Sequence, residues 1–176
     1  MKSVISYLML LTLLMVSVHD SYGQKKSKKE RRMEQFAETQ QLIDSKQFTF
    51  IPSRAFPQGG RSIDLTTNYG HINVMAMETE GIMPFFGRGF TVPYGGDAGI
   101  RFKKTAIENE KVELNEKKMR ITYSFEAKGE NDVFRINMDV SYNGYTSVSI
   151  ISNNRSQISY SGEVSPLEKS SSEDEE

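Results

Sequence analysis

The sequence predicts a mainly β protein, folded as an antiparallel up-and-down β-barrel or a strongly curved sheet with one N-terminal amphipathic helix. Apolar and polar residues alternate through successive segments of the second half, which is the period of a half-buried strand. Short turns rich in Asn and Gly separate these segments, and helical spacing occurs in one segment only. Closure of such a meander into a barrel removes exposed strand edges.

The N-terminus has the three regions of a secretory signal peptide. Lys2 precedes an apolar run that extends from Val4 to Val18, and Ser21-Tyr22-Gly23 has the small-x-small form of a cleavage site. About fifteen apolar residues are too few to span a bilayer, which requires about twenty. We therefore expect residues 1–23 to direct export and be removed, leaving a periplasmic protein, with secretion as the alternative.

Composition limits the classes of partner and of stabilisation. The chain has 22 basic and 23 acidic residues, a balance that argues against nucleic acid as a partner. With 0 cysteines, the chain has neither disulfides nor a lipidated cysteine. Charges concentrate at the ends, so we expect a basic linker over 24–32, one helix-plus-barrel domain over 33–165, and an acidic, disordered tail over 166–176.

The helix is predicted from about Ser27 to Lys46, where apolar residues recur at spacings of three and four. The stripe consists of Met33, Phe36, Ala37, Gln40 and Ile43. The strand predicted over 71–77 is apolar on both faces, because Met75 and Met77 oppose Ile72 and Val74. We expect the helix to cover the outer face of that strand.

Strand and turn patterns fill the remainder of the chain. A first strand follows at 48–52, and segments 62–67 and 71–78 are predicted to pair as a hairpin. A meander follows, with strands predicted at 111–114, 119–127, 134–142, 145–152 and 156–162. Asn143-Gly144 predicts a tight hairpin turn, and Asn153-Asn154 predicts left-handed backbone at the next one.

The glycine-rich segment 85–100 is the most plausible functional site. Glycines let backbone amides approach an anion, and Arg88 adds a forked donor. The alternative is structural, with glycines forming turns and phenylalanines plugging a barrel end. Arg155, at the tip between the last two strands, is available to a ligand if those strands line a lumen. The candidate ligand-binding residues near the barrel mouth are Phe85, Phe86, Arg88, Tyr94, Asp97 and Arg155.

Three segments resemble an uncharacterised domain-of-unknown-function family (number 4251) of small exported bacterial proteins. They are Phe85-Phe86-Gly87-Arg88, the run from Tyr94 to Ile100, and the run from Ser152 to Gly162. The resemblance implies a lipocalin-like β-barrel behind an N-terminal helix, in the cell envelope of Gram-negative bacteria. It implies no activity and supplies no catalytic residues.

Catalytic chemistry has few candidate residues. After loss of the leader, His71 is the only histidine, so histidine-cluster and cysteine metal sites are excluded. His71 with Asp64 serves a serine nucleophile only if a serine converges on them. The pairs Glu78 with Glu80 and Glu108 with Glu110 suit acid–base work on a sugar but have the pattern of solvated charges. We assign no catalytic residue, metal or cofactor.

Three functional hypotheses follow. The first is a non-enzymatic envelope protein that binds a small, partly apolar ligand in the barrel. The second is a protein–protein interaction or assembly module of the cell envelope. The third, with the least support, is a glycan or cell-wall hydrolase that uses His71.

Overall fold

The computed structural model describes residues 26–67, 70–91 and 99–167. Helix α1 spans Lys28–Asp44 and begins with a capping box, in which the Ser27 side chain accepts from the Glu30 amide and the Glu30 side chain accepts from the Ser27 amide. This cap starts the helix inside the predicted basic linker, so Lys28 to Arg32 form its first turns. Residues 1–23 and the last nine residues of the predicted tail lie outside the described part of the chain.

Within the described ranges, ten strands follow the helix, and all their pairings are antiparallel. They are β1 (Gln47–Pro57), β2 (Ile63–Asp64), β3 (His71–Met75), β4 (Glu78–Met83), β5 (Ile100–Ala106), β6 (Glu108–Asn115), β7 (Arg120–Lys128), β8 (Val133–Ser141), β9 (Tyr145–Ile151) and β10 (Ile158–Pro166). Nine of them form one sheet in the order β5-β4-β3-β1-β10-β9-β8-β7-β6, and β2 pairs with β1. The predicted β class, meander and N-terminal helix are confirmed.

The sheet curves into a nearly closed barrel whose two edge strands are consecutive in the chain. Neighbouring strands alternate in direction, so β5 and β6, first and last of nine, run the same way. Only Ile107 separates them, and its amide donates to the Met77 carbonyl at 2.8 Å. The chain therefore passes from one edge of the sheet to the other without reversing. The edge of β5 that does not pair with β4 faces the turn between β7 and β8.

Large side chains occupy the barrel interior. Strand alternation directs one face of each strand inward, and aromatic rings from several strands meet there. Phe48 and Tyr123 pack edge to face with ring centroids 5.7 Å apart, and Tyr123 lies 5.3 Å from Phe125. Phe50 and Tyr160 are also fully buried. Packing of this kind stabilises a barrel that has no disulfide.

The helix closes one end of the barrel, which we call the helix end. Phe36 and Ile43 belong to the buried core, and the Thr39 hydroxyl donates to the Tyr142 carbonyl in the β8–β9 turn at 3.0 Å. The prediction that the helix covers the outer face of β3 is wrong, since α1 packs on β1 and this turn. Met77 consequently remains 79% exposed.

Two local predictions are also corrected. The segments 62–67 and 71–78 do not form a hairpin, because β2 pairs with β1 while β3 pairs with β4 and β1. Ala76, with φ of 57°, provides the tight turn that returns the chain into β4. Gly144 has the expected positive φ, but Asn153 and Asn154 do not. Their six-residue connection is wide enough to turn without left-handed backbone.

Candidate functional site: a cation-lined cleft

The barrel end opposite the helix, which we call the loop end, is formed by residues 84–91, 129–132 and 152–157. Two segments with distinctive sequences pair with each other there. The Arg88 amide donates to Ser156 Oγ and the Ser156 amide donates to the Arg88 carbonyl, both at 2.9 Å. The Phe90 amide donates to the Asn154 carbonyl at 2.8 Å. A side chain at Gly87 would collide with Ser156, so this glycine permits the close approach.

Arg155 holds these segments to the barrel. Its Nη1 donates to the Gly99 carbonyl at 2.8 Å, and its Nε lies 3.6 Å from Asp132 Oδ2. The guanidinium lies 5.4 Å from the Phe85 ring and 6.0 Å from the Phe134 ring. The side chains of Arg155 and Asp132 are only 14% and 8% exposed. These contacts give Arg155 an internal, structural role.

A cleft of about 530 Å³ opens beside this arrangement, between β5 and the β7–β8 turn. Thr91 and Gly99, which flank the undescribed residues 92–98, line it, and the nearly buried Phe134 lies beneath it. Among the residues that the structure describes, five basic side chains and two acidic ones line the cleft, so positive charge predominates in this set. The basic residues are Arg101, Lys103, Lys104, Lys128 and Arg155, and the acidic residues are Glu130 and Asp132.

A β-bulge places two of these cations side by side. The register between β4 and β5 shifts where Lys103 and Lys104 together oppose the single residue Glu80. The flanking residues Phe102 and Thr105 pair with buried residues of β4, and cross-strand partners share a face. Both lysines therefore lie on the outer face of β5, where they are exposed.

The charges of the cleft are unequally neutralised. Lys128 Nζ lies 2.6 Å from Glu108 Oε1, and Arg155 is paired with Asp132. Within the described ranges, Lys103 and Lys104 have no ion-pair partner. They are therefore the cations of the cleft that remain available to an anion.

The six candidate residues from the sequence have different surroundings. Phe85 packs partly against the core, and Phe86 is 39% exposed. The Arg88 side chain is exposed, whereas its backbone is used in pairing with Ser156. Arg155 is buried beneath the cleft, as described above. Tyr94 and Asp97 lie outside the described residues.

Sequence reasoning missed the cationic wall of the cleft, which is formed by Arg101, Lys103, Lys104 and Lys128. One signal for it was present. Ile100 to Lys103 alternate strictly between apolar and basic residues, and Lys104 interrupts that alternation. An interruption of this kind in a strand indicates a bulge, and bulges often occur next to functional sites.

The carboxylates considered for catalysis have local partners. Asp64 accepts from the Thr66 amide at 2.9 Å, and the hydrogen bonds from Thr66 lower the pKa of Asp64. Glu80 accepts from the Asn73 side-chain amide at 2.9 Å. His71 is half-buried on β3, where it pairs with Ile82 of β4. Across the described residues, no three potential metal-ligating side chains form a group.

A second charged network lies toward the helix end. Glu110 accepts from Lys46 Nζ at 2.5 Å and from the Tyr123 hydroxyl at 2.7 Å. Desolvation raises the pKa of Glu110, but the hydrogen bonds from Lys46 and Tyr123 outweigh it and leave this pKa lowered. Burial, reinforced by Glu110, raises the pKa of Tyr123. The network ties the start of β1 to β6 and β7.

Fold and cleft together define a small antiparallel β-barrel protein closed at one end by a helix. The family model described as "Domain of unknown function (DUF4251)" matches residues 30–164, and the chain belongs to this family. The chain is also similar to the crystal structure of a DUF4251 family protein from Bacteroides eggerthii DSM 20697. That similarity has 17% identity and a TM-score of 0.58, covering 76% of this chain and 88% of the other.

The comparison with curated proteins finds no match. Among the residues that the structure describes, no helix combines the length and apolar character needed to cross a membrane.

Proposed function

We propose that this chain is a non-enzymatic protein of the cell envelope that binds a small, partly apolar molecule at the loop end of its barrel. The cleft of about 530 Å³ carries the proposal, because it has the size and mixed lining of a small-molecule site. Since side chains such as Tyr123 and Phe50 occupy the interior, the ligand binds in the cleft and not at the centre of the barrel.

The cell-envelope location rests on the N-terminal sequence. The run from Val4 to Val18, followed by Ser21-Tyr22-Gly23, has the form of a cleaved export signal. The mature protein is expected to begin at Gln24 and to reside in the periplasm. Cell fractionation with N-terminal sequencing tests this, and a cytoplasmic protein that retains Met1 would contradict it.

Native mass spectrometry tests the binding function directly. Protein purified from the cells that naturally produce it is expected to carry a small molecule that denaturation releases. Asn131 lines the cleft with an exposed side chain, so Asn131→Trp should fill the cleft and abolish the additional mass. The matched control, Asn143→Trp, alters an exposed turn at the helix end and should retain it. An additional mass unchanged by Asn131→Trp, or absent from the wild-type protein, would reject the cleft as a binding site.

An assembly role is the second candidate, and exposed aromatic residues favour it. Phe90 is 67% exposed and Phe86 is 39% exposed, both on the segment that forms the loop end. A photo-crosslinking amino acid at position 90 should give a discrete protein adduct in intact cells if this surface contacts an envelope component. The same amino acid at the equally outward Met77 is the control. Identical adduct patterns from the two positions would contradict a specific contact.

A further inference from the structure

We infer that the ligand of this cleft is an amphiphilic anion, with a carboxylate, phosphate or sulfonate held by Lys103 and Lys104 and an apolar body against the aliphatic part of the lining. This inference rests on the proposed function and specifies the chemical class that the cleft selects. It depends on the bulge of β5, on the uneven pairing of charges and on the mixed polar and apolar lining of the cleft.

The bulge gives the cleft a doubled positive charge at one point. In a regular strand, consecutive side chains point to opposite faces, so adjacent lysines would be separated by the sheet. Because the register shift keeps Phe102 and Thr105 inward, Lys103 and Lys104 are both presented on the outer face. Arg101 is exposed on the same face and also lines the cleft. Two neighbouring ammonium groups suit the two or three oxygens of a single anionic group.

The acidic groups that the structure describes near this point form no ion pair with Lys103 or Lys104. Asp132 is engaged by Arg155 and also accepts from Ser152 Oγ at 2.7 Å. Glu80, which opposes the bulge, keeps its charge and accepts from the Asn73 side-chain amide, but it forms no ion pair with Lys103 or Lys104 in the described part of the chain. Glu108 lies against Lys128 at 2.6 Å. Glu130 is exposed in the β7–β8 turn and, among the described residues, forms no ion pair with either lysine. A partly enclosed cleft with excess charge of one sign attracts ligands of the opposite sign.

The stems of side chains that line the cleft supply the apolar part of the site, above a nearly buried ring. The Phe134 ring packs against the Phe102 ring, with centroids 6.0 Å apart, and the Arg155 guanidinium lies 6.0 Å from the centroid of the Phe134 ring. These contacts bury the ring, which is only 2% exposed, so most of the apolar lining comes from the aliphatic stems of Lys103, Lys104 and Lys128. A bare inorganic anion would leave this surface unused.

A pair of dyes separates the charge requirement from the apolar requirement. 8-Anilinonaphthalene-1-sulfonate and N-phenyl-1-naphthylamine share one ring system, and only the first has a sulfonate. Fluorescence titration of the purified protein should give an affinity for the anionic dye about tenfold higher than for the neutral dye, which corresponds to about 1.4 kcal/mol. Octanoate should displace the anionic dye, whereas inorganic phosphate at equal ionic strength should not.

Charge-removing variants then locate the site. Lys103→Gln/Lys104→Gln should lower the affinity for the anionic dye about tenfold and leave the neutral dye unchanged. The control Lys117→Gln/Lys118→Gln removes the same charge from the exposed β6–β7 turn and should leave both affinities unchanged. Partial unfolding would increase binding of the anionic dye, so misfolding cannot imitate the expected loss.

The outcomes distinguish the inference from the proposed function. Equal affinities for the two dyes, or a lysine variant that binds both dyes like the wild type, would overturn the requirement for an anionic group. The cleft would then remain a site for a neutral ligand. Displacement by inorganic phosphate as effective as that by octanoate would overturn the apolar requirement. Failure of both dyes to bind the wild-type protein would reject the small-molecule site itself.

Discussion

Replacing Arg155 by leucine should destabilise the protein by about 3 kcal/mol. Removal of one partner from a buried ion pair costs about 3–5 kcal/mol, because the remaining charge is left without compensation. The lower value applies here, since Arg155 is still 14% exposed, its Nε is 3.6 Å from Asp132 Oδ2, and Asp132 retains the hydrogen bond from Ser152. Loss of the hydrogen bond to the Gly99 carbonyl contributes to the same total.

Urea denaturation followed by circular dichroism measures this change in the free energy of unfolding. In thermal denaturation, the midpoint temperature should fall by about 6–12 °C for a chain of this size. Arg88→Leu is the control, because that side chain is exposed on the same end of the barrel, and it should change stability by less than about 0.5 kcal/mol.

A double-mutant cycle identifies the mechanism. Asp132→Asn in the Arg155→Leu background removes the uncompensated carboxylate, so the double variant should be about 1–2 kcal/mol more stable than the sum of the single effects predicts. The reasoning is refuted if Arg155→Leu costs less than about 1 kcal/mol, or if the two effects simply add.

Three further predictions concern other parts of the barrel. Gly162→Ala should cost about 3 kcal/mol or more in urea denaturation, because a side-chain carbon there would overlap the β1 backbone. Glu110 has a pKa below its ordinary value of 4.5, so the stability that it gains from Lys46 and Tyr123 is present above pH 4.5 and is lost as the pH falls through the folded-state pKa. Glu110→Gln should therefore flatten the dependence of the unfolding free energy on pH in that acid range. An unchanged pH dependence would contradict this origin. Met77→Gln should leave the midpoint temperature unchanged within about 2 °C, since this side chain is 79% exposed. A large decrease would instead support the original prediction that the helix covers this face of the sheet.

Local patterns predicted the second half of the sheet well. From β7 to β10, each strand pairs with the next, so alternation and short turns contain nearly all the required information. The first half was harder because its pairings are not sequential. β1 lies between β3 and β10, and β2 is an addition to its edge, which no local period indicates.

The candidate site was predicted only in part. Glycine content drew attention to 85–91, and the tip at 152–155 was singled out as well, but their mutual pairing is a tertiary contact. The exposed Arg88 and the buried Arg155 have equivalent chemistry in the sequence. The packing around Phe85 and Asp132 determines which of the two arginines is internal, and this tertiary packing does not follow from local sequence patterns.

The position of β1 has a consequence for the order in which the barrel assembles. Strands β3 to β5 pair in chain order, and so do strands β6 to β10, so each set can form at a small cost in chain entropy. The ladder between β1 and β10 joins Phe48 to Pro166, and so must bring distant parts of the polypeptide together. Because that search is entropically the most expensive, we expect this seam to form last and to set the folding rate.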